Sequence, residues 1–294
     1  MNYIANDNRL NEIIDDFDNL FTKYKQEDSK SMFEDVTEDI KILMLIYACG
    51  ICHNMNWEYL CNNFMYKLKL YSRDFDTDFL VDIDETVVKH YFEEYPKKHK
   101  IEAPRRTEMI KSIARDLYTN TNMVDKIKNT TKLAGEDGLF DIINNSIEVF
   151  NEDPLHKKTN LLAQLFINDK IIAVEDEYNI EPLVDYHIMR LYLRTGRIKI
   201  VNHDLIERIM KKEKLHLVQI TELRRMIAEQ IKKFCRNYSK TADELNTIDW
   251  YIGRNICEQK VARCKECPYN QYCDSSNKKT EEMLIEPIDN HGFY

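Results

Sequence analysis

The sequence predicts an all-α protein with two lobes, and three observations lead there. The 294-residue chain holds only six glycines and six prolines, few helix breakers for its length. Apolar residues recur at spacings of three and four over long stretches, as in Trp57 to Tyr71, Thr107 to Leu117 and Leu205 to Phe234. The alternation of a half-buried strand is scarce. The length suffices for a sizeable core divided between two lobes.

In chain order, residues 1–30 are acidic and read as helix, with an apolar stripe at Leu10, Ile13, Ile14, Phe17, Leu20 and Phe21. Residues 37–72 read as two or three helices, and the run Ile42 to Ile51 as a buried one. Pro96 and Pro104 interrupt a mixed stretch at 73–104. Helices are expected at 105–118 and 121–132, a turn at Gly135 and Gly138, and a helix from Leu139 to Val149. Asp153-Pro154 suits a helix start with proline at the first helical position, continued by Lys158 to Ile167. The acidic residues 175–181 predict a loop ending at Pro182. Helices follow at about 185–195, 203–212 and 217–238, and one from Ala242 to Arg254 leads into a cysteine-bearing loop. The polar tail after Asp274 is expected to fray.

No stretch of eighteen apolar residues occurs, so no membrane span is expected. The first residues, MNYIANDNRL, lack the basic-then-apolar pattern of a signal peptide. The expected location is the cytoplasm, where disulfides are disfavoured and clustered cysteines more often bind metal. The net charge of −9 argues at first against a nucleic-acid partner. Residues 185–240, however, hold fourteen Lys and Arg against six Asp and Glu, a net of +8 that leaves −17 for the remainder. Such a stretch can meet phosphate, or it can form the solvated faces of helices.

Four cysteines stand close together near the C-terminus: Cys257, Cys264, Cys267 and Cys273, in the pattern C-x6-C-x2-C-x5-C. Two disulfides, a zinc ion or an iron–sulfur cluster would bring them together. Zinc sites usually pair their ligands in two C-x2-C knuckles, and only Cys264 and Cys267 form one. A [4Fe–4S] cluster tolerates the uneven spacing better, because each thiolate binds its own iron. Arg254, Lys260, Arg263 and Lys265 flank the loop and would offset the cluster's negative charge.

A second segment, Val184-Asp185-Tyr186-His187-Ile188-Met189-Arg190-Leu191, places Asp185 where a helix begins. A carboxylate there accepts backbone N–H bonds and is favoured by the helix dipole. At a cleft, it would stabilise positive charge on a sugar as a base departs, or activate a nucleophile. The plain alternative is an ordinary N-cap. His187 and Arg190 read as supports of that helix.

The cysteine spacing resembles the iron–sulfur loop of the endonuclease III and adenine-glycosylase branch of the helix-hairpin-helix DNA glycosylase superfamily. The Asp185 segment resembles that family's V-D-x-H-x-x-R-V, whose Asp is the catalytic carboxylate. Both motifs occur in the family's order. The resemblance implies a helical barrel over 31–180 and a second lobe of 1–30 with 181–294. It also implies a [4Fe–4S] cluster on the four cysteines and an active cleft between the lobes with Asp185 at its mouth. The implied activity is N-glycosylase excision of a damaged or modified base from DNA, as in base excision repair, by a monomer that flips the base.

Family members carry a glycine-rich hairpin before the Asp, and bifunctional members place a nucleophilic Lys there. Asp153 to Leu161 is the counterpart, with Lys158 at the nucleophile position and an associated lyase activity implied. Both hairpin glycines are absent, and a solvated helical lysine is the plain alternative for Lys158. Two further functions stay open: a glycosidase for a modified nucleoside, nucleotide or RNA base, and a non-catalytic iron–sulfur protein that binds nucleic acid.

Cys49-x2-Cys52-His53 has the spelling of a haem attachment site, but lies in an apolar helical run and reads as core packing, as do Cys61 and Cys235. The acidic run from Asp74 to Glu85 lacks the glycine turn and terminal Glu of an EF-hand loop and reads as surface.

Overall fold

The computed structural model describes residues 2–14, 20, 22–23 and 33–288. It is mostly helical, with 62% of residues in helices. The described residues fall into two compact units: residues 33–180, and residues up to 23 joined to 181–288. Phe17 and Phe21 of the expected N-terminal stripe lie outside the described residues.

After β1 (Tyr3–Ala5) and α1 (Asp7–Ile14), the helices of the 33–180 unit begin with α2 (Glu38–Ile51). A continuous helical stretch follows: α3 (Trp57–Tyr59), a π turn at Leu60–Phe64, and α4 (Met65–Tyr71). Then come α5 (Thr77–Val81), α6 (Glu85–Tyr91), α7 (Ala103–Thr119), α8 (Met123–Asn129), α9 (Leu139–Ser146), α10 (Glu148–Asn151) and α11 (Lys157–Asn168). The other unit continues with α12 (Tyr186–Thr195), β2 (Ile198–Ile200), α13 (His203–Met210), α14 (Leu217–Tyr238) and α15 (Ala242–Asn255).

In the 33–180 unit, α2 is the hub. From Met44 to Ile51 every residue is buried, as a helix apolar on all sides must be. It packs against α7 and α11, and Ile113 of α7 and Phe150 of α10 approach it at Gly50. Three basic residues of this unit point inward: His53, Arg106 and Lys158 are all fully buried.

In the other unit, α12 packs on α15 and α14. The closest approach is at Gly253, where an added Cβ would lie 2.7 Å from the His187 carbonyl oxygen. Gly196 ends α12 in the left-handed conformation (φ 75°), and a Cβ there would collide with the Asp274 carboxylate. The turn reverses the chain into β2, which pairs antiparallel with β1, Tyr3 opposite Ile200. Just before β2, Arg197 is fully buried and grips Asp249 of α15 with two bonds, 2.8 and 3.2 Å. The Tyr269 hydroxyl donates to the same carboxylate at 2.8 Å, and the guanidinium lies 3.7 Å from the Tyr192 ring centre.

Three expectations are corrected. The N-terminus does not start as helix: Tyr3–Ala5 is a strand, because Ile198-Lys199-Ile200 alternates and offers it an edge. The helix after Asp153 starts at Lys157 instead of Pro154. The Asp153 carboxylate accepts from the Leu155 and Lys157 N–H groups and makes a turn of 152–156. The chain after Asp274 does not fray up to residue 288. Met283 and Ile285 are buried, Glu286 pairs with Arg190 at 2.8 Å, and the Ile288 carbonyl accepts from the Leu215 N–H.

Removing one partner of the Arg197–Asp249 pair strands a charge in the interior. Asp249→Leu is expected to cost about 3–5 kcal/mol in denaturant unfolding, and the Arg197→Met/Asp249→Leu double variant to recover most of it. Equal losses in the single and double variants would show that the pair does not hold this unit.

Candidate functional site

The site is built on α12. Asp185 is its N-cap, and Oδ1 accepts from the backbone N–H groups of His187 (2.8 Å) and Ile188 (3.0 Å). The approach to the cap is fixed from behind: Arg224 donates to the Val184 carbonyl (3.1 Å) and Asn246 to the Leu183 carbonyl (3.0 Å). Asp185 is 6% exposed. Both capping bonds fall on Oδ1, which leaves Oδ2 outside them.

His187 sits one step into the helix, between the Tyr186 ring (4.0 Å between centroids) and the edge of Trp250. Its Nδ1 lies 3.0 Å from an Arg190 Nη. Guanidinium has no acceptor, so Nδ1 must accept and the imidazole is neutral with its proton on Nε2. Burial, with Arg190 beside it, pushes the imidazole down to about 4.

The rest of α12 turns to the cysteine loop. Arg190 donates to the Cys257 carbonyl (2.7 Å) and the Gly253 carbonyl (2.6 Å). One turn on, fully buried Arg194 donates to the carbonyls of Leu284 (2.7 Å), Glu258 (2.8 Å) and Gln259 (3.3 Å), and lies 3.5 Å from the Cys257 sulfur. The Cys273 thiol meets the Arg194 carbonyl at 3.2 Å. Two 3-10 turns, Cys264–Glu266 and Asn270–Tyr272, deliver Cys267 and Cys273. Between them Tyr269 plunges to Asp249 and anchors the loop.

All four cysteines are free, half-buried thiols, and all four line one cavity of about 20 Å3, closed by Leu191, Thr195, Ile256 and Met283. Burial first and the neighbouring thiols second push Cys264 and Cys273 up, and Cys267 up to about 12. Such thiols stay protonated unless a positive centre takes the place of the proton. All-sulfur donors on one cavity are the chemistry of an iron–sulfur cluster or another thiophilic centre. Among the described residues, no group of three or more His, Cys, Asp or Glu side chains is placed to hold a metal ion.

Of the four cations expected to flank the loop, two make contacts away from the sulfurs. Arg254 lies over Trp250, 4.6 Å from the ring centre, and Arg263 bonds to Glu266 and the Asn255 carbonyl. The guanidinium at the sulfur is that of Arg194, which sequence reasoning missed. Its signal was the spacing: Arg190, Arg194 and Arg197 lie along one edge of an apolar helix and the turn that follows it.

Lys158 lies in the 33–180 unit and is not a solvated lysine. It is fully buried, and its Nζ donates to the Gly50 carbonyl at 2.6 Å. Burial lowers its basicity. Cys49 and Cys61 are buried, as core packing requires, while Cys52 and Cys235 are half-buried.

No protein-family model matches the chain, and neither does any curated protein.

The depressed His187 predicts an acid response. Its folded value lies below that of a free imidazole, about 6.5, so the unfolded chain takes the proton more readily. The stability it contributes is complete above about pH 6.5 and is lost as pH falls toward 4, on the order of 2–3 kcal/mol in total. Urea unfolding followed by Trp250 fluorescence in a Trp57→Phe background is expected to show this slope. His187→Gln, which keeps an acceptor for Arg190, should flatten it; an unchanged slope would assign the effect elsewhere.

Proposed function

We propose that the protein is an N-glycosylase of the iron–sulfur helix-hairpin-helix type, which releases a damaged or modified base from DNA. One observation supports this most. The two segments that resemble the family, 72 residues apart between Asp185 and Cys257, are joined through one helix. Asp185 caps α12, and Arg190 and Arg194 of the same helix grip the cysteine loop.

In this reading Asp185 faces the sugar of an extruded nucleotide. The C1′–N bond breaks with its electron pair leaving on the base, and the carboxylate stabilises the positive charge that grows on the sugar. Water forms the new C1′–O bond and gives its proton to Asp185. Neutral His187 and Arg190 hold the cap in register. Cys257, Cys264, Cys267 and Cys273 would hold the cluster, which would add rigidity to a loop that Arg190, Arg194 and Tyr269 already tie down and that would meet phosphate. Lyase chemistry through Lys158 would require the amine to leave the Gly50 carbonyl, so the proposal stops at hydrolysis.

A second reading, cleavage of a modified nucleoside, nucleotide or RNA base, draws on the charge distribution. Arg190, Arg194, Arg197 and Arg224 account for four of the fourteen basic residues in 185–240 and are buried, so the surface available to a duplex is less basic than the sequence count.

Anaerobic purification is expected to give about four iron and four sulfide per chain; protein loaded with zinc and free of iron would overturn the cluster. In a base-release screen spanning duplex DNA, RNA and free nucleosides, Asp185→Asn should lower the rate by a factor on the order of 10² or more with duplex binding retained. Release unaffected by Asp185→Asn would remove the carboxylate from the chemistry. Binding without release from any substrate would leave a non-catalytic protein. Borohydride treatment during turnover is expected to trap no adduct; an adduct lost in Lys158→Met would restore the lyase.

A further inference from the structure

The N-terminal segment directs its bonds to the elements that hold the cysteine loop. The Asn6 N–H donates to the Arg197 carbonyl at 2.8 Å. The Asp7 carboxylate accepts from Gln230 of α14 at 2.6 Å and from Lys233 of the same helix. Leu10 and Ile13 are buried, and α1 packs on α14 and on the loop's 3-10 turn Asn270–Tyr272. Arg9 of α1 completes the set. One Nη donates to the Asp274 carboxylate at 2.6 Å and the other to Glu12 at 2.6 Å. Its Nε is buried, so the guanidinium lies against the protein. Asp274 follows Cys273 directly, and its second oxygen fills the space where a Cβ of Gly196 would stand. The carboxylate is thus clamped between the Arg9 guanidinium and the turn that ends α12.

The four cysteines are not held alike. Cys257 is tied in the interior: its N–H donates to the Ile252 carbonyl at 2.7 Å, buried Arg190 donates to its carbonyl, and buried Arg194 lies beside its sulfur. Cys264 and Cys267 share one 3-10 turn, closed by the Cys267 N–H on the Cys264 carbonyl at 3.1 Å, and Tyr269 pins the chain just beyond. Cys273 follows a second turn. Its thiol meets the Arg194 carbonyl at 3.2 Å, and the next residue is tied to Arg9, 265 positions away in the chain. That ion pair is partly exposed, its side chains 23% and 36% accessible. A partly exposed pair is weak and is screened by salt, whereas buried charges are screened far less. Of the four sulfurs, Cys273 therefore depends on the tie that breaks most easily.

We propose that β1 and α1 form a latch on the cysteine site. Arg9 is its positioning residue: through Asp274 it holds Cys273 at the cavity, and Cys273 is the sulfur that leaves first when the ion pair opens. The four-sulfur cavity would take up or give up its centre from this edge. The latch rests on the four thiols sharing one cavity and not on the chemistry assigned to Asp185, so either can fail alone.

The test is pulse alkylation of the anaerobically purified full chain with N-ethylmaleimide, the rate at each cysteine being read by peptide mass. Arg9→Gln and Asp274→Asn are each expected to speed modification of Cys273 by roughly two- to fivefold, with Cys257, Cys264 and Cys267 unchanged. Arg9→Lys, which keeps the charge, should return the rate toward that of the parent. Glu12→Gln, which removes the other partner of Arg9, should leave it unaltered. In the parent chain, added potassium chloride should speed modification of Cys273 and spare Cys257. Iron content measured on the same samples reports separately on what the sulfurs hold. A rise in all four rates together would show general loosening instead of a latch. That result, or a Cys273 rate that Arg9→Gln and Asp274→Asn both leave unchanged, would overturn the proposal.

Discussion

Three buried arginines at α12 and its exit hold the cysteine loop in place. Arg190, Arg194 and Arg197 are each at most 2% exposed. A buried guanidinium is tolerable only when its charge and all its donors are met. Arg190 and Arg194 meet that demand largely with backbone carbonyls from the end of α15, the cysteine loop and the tail at Leu284. These carbonyls belong to irregular chain that no ladder or helix would satisfy. Arg197 meets it with a carboxylate, and Tyr269 ties the loop to that same carboxylate. The loop is therefore held through its backbone carbonyls and through the Tyr269 side chain.

The two ends of α12 consequently do different work. Its N-terminus fixes a carboxylate through backbone donors, and its later turns hold the cysteine loop at the carbonyls of Cys257 to Gln259 and at the Cys273 thiol. Gly253 makes the arrangement possible, since any side chain there would push α15 off the His187 carbonyl and draw the Arg190 bonds apart. Glu286 completes the charge around Arg190 from the tail. A cluster at the sulfurs and chemistry at Asp185 would thus share one rigid element, and distortion of the loop would reach the cap through a single helix.

Much of this was legible in the sequence. The long helices, above all Leu217–Tyr238 and Ala242–Asn255, declare themselves by apolar spacing and by the capping box at Thr241 and Glu244. The N-cap role of Asp185 could be read from its place before an apolar run. Three features could not. The strand Tyr3–Ala5 is three residues long and exists because a partner edge lies nearly two hundred residues away. The tail from 275 to 288 is polar on average, yet Met283 and Ile285 suffice to bury it once Arg190 and Arg194 offer it bonds. The start of α11 was misplaced because Pro154 is an equally good turn residue, and the Asp153 side chain decides between the two.

Charge was the least legible property, for a physical reason. A sequence count treats every lysine and arginine as surface, whereas the fold buries arginine where carbonyls converge. Arginine suits this because its five donors spread over a plane and can satisfy several backbone groups at once. Lysine does not, since its charge is compact and its three donors radiate from one atom. The contrast between Arg194, with carbonyls on three nitrogens, and Lys158, with one carbonyl, is therefore informative. The first is complete as a structural support. The second is fully buried with a single carbonyl on its ammonium, a support that meets one donor of three.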